Sequence, residues 1–440
     1  MTFPLSAMIS VEEARGRILS FFSRLPAERR PLLDALGQVL AEDVVAPFDL
    51  PPLDNTAMDG YAVRAADTTG ATEAAPRTLR VIGDLAAGYV YEREIGPGEA
   101  VRIMTGAPMP PGSDAVVPFE ETDEPLRELG ELPVKTGEVQ VFKGAEPAAN
   151  IRFRAEDVCQ GSTVIEAGRV MRPSEVGVLA SLGVAEVAVY RRPVVAILST
   201  GDEITEPGKP LLPGRIYDAN AYSVAALVRK CGGIPKLLGI ARDTVEDLTA
   251  KIREGLAADM IVTSAGVSRG DFDVVKDVLA REGSIDFWTV RMKPGKPLAF
   301  GAFTAPDGRR VPHLGLPRNP VSSMVAFELF GRPALFRMLG RDDWERPTLR
   351  AITRDEVRNT DGRRFYARCI VTKGDDGHWY ADLTGPQGSG ILTSMSAANA
   401  LTVIPEDLAA LMLVRIPLPW GPVRSAYHWP SSPFVTMHRA

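Results

Sequence analysis

An apolar run that ends in a polar turn stands at Val194-Val-Ala-Ile-Leu-Ser-Thr-Gly-Asp-Glu203. The same order recurs at Met260-Ile-Val-Thr-Ser-Ala-Gly266, where hydroxyl side chains and a glycine again follow the apolar residues. Two segments with helical periodicity lie between them, one from Asn220, a possible cap, to Cys231 and one at Val245–Leu256. Apolar strands that alternate with amphipathic helices are typical of a parallel sheet covered on both faces. This pattern predicts a three-layer α/β/α domain over residues 190–340.

The flanking regions have a different character. A capping-box pattern at Ser10 predicts a helix to about Leu25, and a second short helix is predicted at Leu32–Leu36. Short strands broken by Gly-Pro and Pro-Pro follow, and short strands return after residue 341. We therefore predict a discontinuous N-terminal domain at 8–48 and 148–189, an inserted β-rich domain at 49–147, a small C-terminal β-barrel at 341–418 and a proline-rich tail at 419–440.

Composition excludes several classes of protein. The 440 residues include 50 Lys and Arg against 56 Asp and Glu, a net charge of −6, which argues against a broad basic face for nucleic acid. The three cysteines form no CxxC pair, and the four histidines have no metal-ligand spacing. A sparse, odd cysteine count fits a reducing cytoplasm. The chain shows neither a long apolar span nor a signal peptide, so we expect no membrane contact.

The chemistry is expected in turns at strand ends. Small hydroxyl residues, glycine and carboxylates meet in Ser199–Glu203 and again in Ser264–Asp273. Ligands of parallel sheets bind beyond the carboxyl ends of the strands, where amides hold phosphate and carboxylates hold Mg²⁺. Taken singly, each turn is more simply a cap for the next helix. Two such turns on one sheet edge favour a phosphate and metal site.

A second set of residues favours an anion. Two lysines lie between prolines in Lys293-Pro-Gly-Lys-Pro297. The stretch Leu316-Pro-Arg-Asn-Pro-Val-Ser322 opens a long helix, predicted at Pro320–Leu339, with a hydroxyl in its first turn. Lysines suit a tetrahedral dianion, although a solvated turn and ordinary helix capping are simpler interpretations. The polar turns Asp54–Tyr61 and Thr105–Pro108 are weaker indications. The chain has no Walker A loop, GxGxxG or HExxH motif.

In this order the turns resemble the molybdopterin molybdenumtransferases, the family of MoeA and the gephyrin E domain. The resemblance covers residues 8–416. Nine stretches carry it: Asp54–Val63, Arg102–Pro108, Asn150–Asp157, Ser199–Glu203, Ile216–Asn220, Thr263–Asp273, Lys293–Pro297, Leu316–Ser322 and Gly388–Gly390. It implies an elongated, four-part homodimer whose central, MogA-like domain binds molybdopterin. The implied reaction converts adenylylated molybdopterin and molybdate, with Mg²⁺, into molybdenum cofactor and AMP. The implied protein partners are the molybdopterin adenylyltransferase and molybdoenzyme delivery proteins.

The resemblance also implies the site residues. Six polar side chains match catalytic positions: Asp59, Thr105, Asp157, Glu203, Asp243 and Asp273. Three of them, Glu203, Asp243 and Asp273, would hold Mg²⁺. Contacts to molybdopterin and AMP are implied for Asn55, Thr200, Asp218, Asn220, Ser264, Gly266 and Ser268. Contacts to molybdate are implied for Lys293, Lys296, Pro297, Ser322, Arg368 and Ser389, the segment before the arginine being one residue shorter than in the family.

The chain departs from the family at three positions where glycine is usual: Ala155, Ala265 and Arg318. Glycine often serves a positive φ or a close approach to ligand, which other residues tolerate poorly. Arg318 adds bulk and charge beside the expected oxyanion site, where it either binds phosphate or blocks the pocket. Blocking predicts that Arg318→Gly raises activity or molybdate affinity, and unchanged or lower values of both would refute it.

Two other functions stay open. The glycine departures suggest a degenerate paralogue that binds molybdopterin, or scaffolds pathway proteins, without inserting metal. Retention of the acidic residues and of both lysines argues against it, because a scaffold needs neither. An unrelated α/β phosphate-binding enzyme is the third possibility, which a compact monomer without the inserted module would favour. Molybdate-dependent release of AMP separates the transferase from the scaffold.

Overall fold

The computed structural model describes residues 8–126, 137–264, 278–279, 281–357, 359–406 and 413–417. The chain divides into two compact units. The smaller unit comprises Pro31–Leu33 and Glu42–Glu186, and the larger comprises Met1–Arg30, Asp34–Ala41 and Val187–Ala440. The finer division into an N-terminal, an inserted, a central and a C-terminal domain stays a prediction.

A five-stranded sheet forms the core of the smaller unit. Its strands lie in the spatial order Ala115–Pro118, Gly60–Val63, Glu99–Ile103, Arg77–Leu85 and Glu138–Val141. Two further pairs are Asn55–Thr56 with Ile151–Arg152 and Val44–Val45 with Thr163–Ile165. The unit also contains the helix Pro173–Ser181 and 3-10 turns at Ala65–Thr68, Phe119–Glu121 and Glu124–Leu126. The β-rich module expected from the Gly-Pro breaks is thus present.

The larger unit is built on a six-stranded sheet. In chain order its strands are β1 (Val194–Thr200), β2 (Ile234–Ala241), β3 (Met260–Ser264), β4 (Gly283–Thr289), β5 (Pro297–Thr304) and β6 (Arg310–Leu316). Their spatial order is β2-β1-β3-β6-β5-β4. The strands β2, β1, β3 and β6 are mutually parallel, whereas β5 is antiparallel to both β6 and β4.

The expectation of a wholly parallel sheet is therefore wrong for one strand, β5, which runs opposite to both of its neighbours, whereas β4 runs in the same direction as the other four strands. Only the turn Ala305–Arg309 separates β5 from β6, and only residues 290–296 separate β4 from β5. A parallel connection needs about a dozen residues or more for its crossover, so neither linker can make one. Both linkers instead form antiparallel connections.

Helices cover both faces of the sheet, which confirms the three-layer prediction. On one face, Val195 and Ile197 of β1 pack against the helices Val11–Leu19 and Ala219–Lys230 and against the helical segment after Pro320. On the other face, Ala196 and Leu198 pack against the helix Val245–Gly255. The alternation follows from the two-residue period of a strand, which sends successive side chains to opposite faces.

The helices begin and end at recognisable residues, with three corrections to the sequence expectations. Ser10 caps the first helix as predicted, its hydroxyl accepting from the Glu13 amide at 3.0 Å, but that helix ends at Leu19. Leu32–Leu36 forms turns rather than a helix, since so short an isolated segment makes too few hydrogen bonds to nucleate one. The long helix predicted from Pro320 is interrupted by a π-turn: its parts are Pro320–Ala326, Phe327–Gly331 and Arg332–Met338.

The C-terminal strands form a second six-stranded sheet. Its members are Ile352–Thr353, Trp379–Leu383, Arg364–Lys373, Ala400–Ile404 and Leu413–Pro417, with Met292–Lys293 pairing onto Arg364–Lys373. The short helix Thr393–Ala397 accompanies them, and two further strand pairs are Ala27–Pro31 with Glu186–Tyr190 and Ile204–Thr205 with Ile216–Tyr217. Since Met292–Lys293 belongs to the linker between β4 and β5, this pairing fixes the lysine turn against the C-terminal sheet.

Candidate functional site

The four parallel strands end side by side at one edge of the central sheet. Ser199 lies opposite Ser264, Ser264 opposite Leu316, and Thr200 opposite Ala241. The polar residues that follow these strands therefore share one edge, as the sequence predicted. The turn after Ser264 falls outside the described residues, and with it the predicted site residues Gly266, Ser268 and Asp273 and the departure Ala265.

Two of the predicted metal ligands come together at this edge. Gly201 has a φ of +136°, and a Cβ there would lie 2.5 Å from the Glu203 carboxylate, so glycine lets that carboxylate fold back over the turn. Burial raises the pKa of Asp243, and the negative charges of Asp202 and Glu203 raise it further, against the opposing effects of the Asp202 hydrogen bond and the Arg318 charge.

Carboxylate oxygens are the ligands that a hard cation such as Mg²⁺ prefers, so the chemistry of these two donors suits the ion. Within the part of the chain that the structure describes, however, no group of three or more His, Cys, Asp or Glu side chains could hold a metal. Arg318 supplies positive charge instead, with its Nη1 3.0 Å from Glu203 Oε1. The residue that replaces the family glycine thus lies at the acidic edge.

Asn220 and Asp218 organise the same edge from the helix Ala219–Lys230. Asn220 Nδ2 donates to Ser264 Oγ at 2.7 Å and to the Arg318 carbonyl at 2.6 Å. Asp218 accepts from the Ala221 amide at 3.0 Å, so Asp218 caps this helix and the expected Asn220 cap is wrong. Because the cap lies two residues earlier, the Asn220 side-chain amide is free to bridge two strand ends. The hydroxyl of Thr200 is buried with no protein partner among the described residues, which leaves it for a ligand.

A cavity of about 390 Å³ lies between the lysine turn and the C-terminal sheet. Five of the six residues expected to bind molybdate line it: Lys293, Lys296, Pro297, Ser322 and Ser389. The other lining residues are Pro294, Gly295, Arg363, Phe365 and Gln387. The cavity thus combines lysine and arginine cations with two hydroxyls, a set that suits a small oxyanion.

Close backbone packing builds this cavity. Gly295 has a φ of +101°, and a Cβ there would lie 2.9 Å from Met292 Cε, so glycine allows the tight turn that brings both lysines to one side. Asn319 Nδ2 donates to Ser389 Oγ at 2.9 Å. The Val321 amide donates to the Ser389 carbonyl at 3.1 Å. These bonds hold the Ser389 loop against the helix that carries Ser322.

The arginine of the cavity is Arg363, and Arg368 does not line it. The Arg368 side chain is fully buried: Nε donates to Ser394 Oγ and Nη2 to the Gly388 carbonyl, each at 3.0 Å. Burial lowers the pKa of Arg368 to about 10. Arg368 therefore supports the loop that carries Ser389. Arg363 and Gln387 are the lining residues that sequence reasoning missed, and the shortened spacing before Arg368 was the one sign of the shift.

The remaining predicted residues lie in the smaller unit. Asp59 Oδ1 accepts from the Thr105 amide at 2.6 Å and from its hydroxyl at 2.8 Å, and these two bonds lower the pKa of Asp59. The structure thus joins two predicted catalytic residues. Asp157 is exposed, with its amide donating to the Leu50 carbonyl at 3.0 Å. Asn55 pairs with Arg152 in a short two-stranded sheet.

Three family models match the chain in order. They are the MoeA N-terminal region (domain I and II) at residues 9–183, the probable molybdopterin binding domain at 196–337 and the MoeA C-terminal region (domain IV) at 350–411. Across the described residues, none of the helices is both long and apolar enough to cross a membrane.

Several known proteins with similar sequences are molybdopterin molybdenumtransferases. Molybdopterin molybdenumtransferase 2 of Mycobacterium tuberculosis is 40% identical over 91% of this chain and 96% of its own length. Molybdopterin molybdenumtransferase of Haemophilus influenzae is 36% identical over 91% of this chain and 95% of its own length. A crystal structure of a molybdopterin biosynthesis MoeA protein from Pyrococcus horikoshii superposes with a TM-score of 0.75 at 32% identity, covering 93% of this chain and 99% of that one.

Proposed function

The chain belongs to the MoeA family of molybdopterin molybdenumtransferases, and from this premise we propose that it inserts molybdate into adenylylated molybdopterin with Mg²⁺-dependent release of AMP. Its general role, a transferase of molybdenum cofactor biosynthesis, follows from the relatives named above. The substrates, the cation and the products are the finer part of the proposal.

The cavity beside the lysine turn is the observation that carries this proposal. Its cations, Lys293, Lys296 and Arg363, would balance the two charges of molybdate, while Ser322 and Ser389 would donate hydrogen bonds to its oxygens. At about 390 Å³ the cavity is far larger than the roughly 30 Å³ of one water molecule, so a tetrahedral anion has room to enter with solvent.

The edge of the central sheet would hold the nucleotide part of the substrate. The buried Thr200 hydroxyl and the Asn220–Ser264 pair face the ends of the parallel strands, the usual position of ligands in such sheets. Glu203, Asp243 and Asp273 would hold Mg²⁺, which when bound neutralises charge on the pyrophosphate. Arg318 would share Glu203 with that ion.

Asp59 has the protonation state expected of a proton acceptor. The two hydrogen bonds from Thr105 stabilise its carboxylate form, so it is ionised at neutral pH. We propose that Asp59 takes part in the reaction through this carboxylate. Thr105 would then hold the Asp59 carboxylate in place.

The oligomeric state, the cellular location and the protein partners belong to the same proposal. We propose a homodimer that acts in the cytoplasm and exchanges substrate with the molybdopterin adenylyltransferase and with molybdoenzyme delivery proteins. The three cysteines are free thiols, one exposed and two buried, which fits a reducing compartment.

AMP release from adenylylated molybdopterin tests the proposal directly. It is measured with Mg²⁺, with and without molybdate, for the wild type and for Asp273→Ala. Release that requires molybdate and that the substitution abolishes is the expected result. Tight substrate binding without release would instead indicate the degenerate paralogue, which the Arg318–Glu203 pair at the predicted metal site favours as the second candidate.

A further inference from the structure

A carboxylate that does not line the cavity binds two of the cations that do. Asp361 Oδ2 accepts from Lys293 Nζ at 3.0 Å and from Arg363 Nη2 at 2.7 Å. Both cations line the cavity beside Lys296 and Ser322. Asp361 therefore supplies, from within the chain, a negative charge of the kind that an oxyanion would bring.

The turn that carries Asp361 is fixed in place. Asp361 Oδ1 accepts from the Arg363 amide at 3.2 Å. Asn359 Nδ2 donates to the Arg363 carbonyl at 2.9 Å and to the Pro405 carbonyl at 3.0 Å. Lys293 Nζ also lies 4.6 Å from the centre of the Phe365 ring. The pairing is thus more ordered than an ordinary surface ion pair.

Asp361 is ionised at neutral pH. Burial raises its pKa, but hydrogen bonds from Arg363 and Lys293 outweigh that effect and hold the pKa below the ordinary value. Its side chain is 36% exposed, and those of Lys293 and Arg363 are 22% and 26% exposed. The pairs are therefore partly screened by water, which leaves them weak enough for a competing dianion to displace.

We propose that Asp361 is a built-in competitor for the oxyanion, a tethered carboxylate that occupies Lys293 and Arg363 until a dianion displaces it. This role of Asp361 rests on the proposed function in one respect, the assignment of an oxyanion to this cavity. Asp361 thereby sets the affinity of the cavity and its preference between dianions and monoanions. A negative charge beside the site repels a dianion twice as strongly as a monoanion at the same position.

The substitution Asp361→Asn tests this role because it keeps the shape of the side chain and removes the charge. We expect molybdate to bind about tenfold more tightly to the variant, as a charge roughly 6 Å from a dianion in water predicts. Perrhenate, a tetrahedral monoanion, is expected to gain only about threefold. Both dissociation constants are measured by isothermal titration calorimetry at fixed ionic strength.

Asp307→Asn is the matched control. Asp307 likewise accepts from the amide and side chain of an arginine two residues later, Arg309, but it lies in the turn between β5 and β6 and lines no part of the cavity. We expect its substitution to leave both affinities unchanged. Asp361→Ser provides a second charge-free variant, so that a folding defect of Asp361→Asn does not decide the outcome.

The possible outcomes distinguish the competitor role of Asp361 from the assignment of an oxyanion to the cavity. Wild-type binding of molybdate with no gain in either Asp361 variant would overturn the competitor role and leave the oxyanion cavity standing. Equal gains for molybdate and perrhenate would overturn it as well, because a charge effect must scale with ligand charge. No binding by the wild type or by any variant would overturn both the inference and the oxyanion assignment.

Discussion

Replacing Arg318 is expected to tighten Mg²⁺ binding at the acidic edge. Its Nη1 lies 3.0 Å from Glu203 Oε1, so a cation that uses Glu203 must compete with a guanidinium already paired to it. Arg318→Gln removes the charge and keeps most of the side-chain length. The backbone at 318 needs no relief, since the non-glycine residues with positive φ in the described part of the chain are Ala148, Asn150 and Ala155.

The exposure of the pair sets the size of the effect. The side chains of Arg318 and Glu203 are 45% and 31% exposed. A buried pair would be worth several kcal/mol, but exposed pairs contribute about 0.2–1 kcal/mol. Losing that competition, together with the repulsion between Arg318 and a divalent ion, is expected to strengthen Mg²⁺ binding roughly three- to tenfold.

Calorimetric titration of Mg²⁺ into the substrate-free proteins measures this change. Arg318→Lys keeps the positive charge and is the matched control, expected near the wild-type affinity. Arg318→Gly, the residue usual in the family, is expected to behave like Arg318→Gln. Equal or weaker Mg²⁺ binding by both charge-free variants would refute the competition and leave Arg318 as a phosphate ligand to be tested with pyrophosphate.

Three further predictions concern the stability of the folded chain and the pKa of Asp59. Ala155 has a φ of +63°, so Ala155→Gly should stabilise the protein by roughly 0.5–1 kcal/mol in urea unfolding, and an unchanged midpoint would contradict the strain. Burial lowers the pKa of His313 from 6.5 to about 3. Between pH 6.5 and pH 3 the unfolded chain therefore carries a proton on this imidazole that the folded chain does not, so the free energy of unfolding falls by about 2 kcal/mol from pH 7 to pH 5. His313→Gln should remove this loss, whereas His378→Gln, at an exposed position, should not. Thr105→Val should raise the pKa of Asp59, read from carboxyl NMR shifts, because one of its two donors is lost.

The edge of the central sheet could be predicted because its buried strands are continuous runs of apolar residues in the sequence. The two strand ends that carry hydroxyl and acidic residues must share one edge if the strands are parallel, and the register of Ser199 with Ser264 confirms that they do. The direction of the reversed strand β5 was mispredicted because the same apolar composition suits either direction. The turn Ala305-Pro-Asp-Gly-Arg309 carried the correct information, being too short for a crossover.

The arginine of the cavity could not be derived in the same way. Arg363 and Arg368 stand five positions apart, on either side of the start of the strand Arg364–Lys373. Which one faces the cavity depends on where the preceding turn ends, and one residue of slip in a strand moves a side chain to the opposite face. The family motif predicted Arg368, whereas the fold buries Arg368 against the Gly388 carbonyl and places Arg363 in the lining of the cavity.

One short segment connects the two halves of the candidate site. After β6 ends at Leu316, the Arg318 carbonyl accepts from Asn220 at the acidic edge. Next along the chain, Asn319 donates to Ser389, and Ser322 lines the cavity. The proposed reaction needs an oxyanion and a nucleotide-bearing pterin within reach of each other, and this segment sets the spacing between their predicted sites. A change at Arg318 or Asn319 is therefore expected to alter both binding events, because rigid strand and helix ends flank the segment and leave it little room to absorb the change locally.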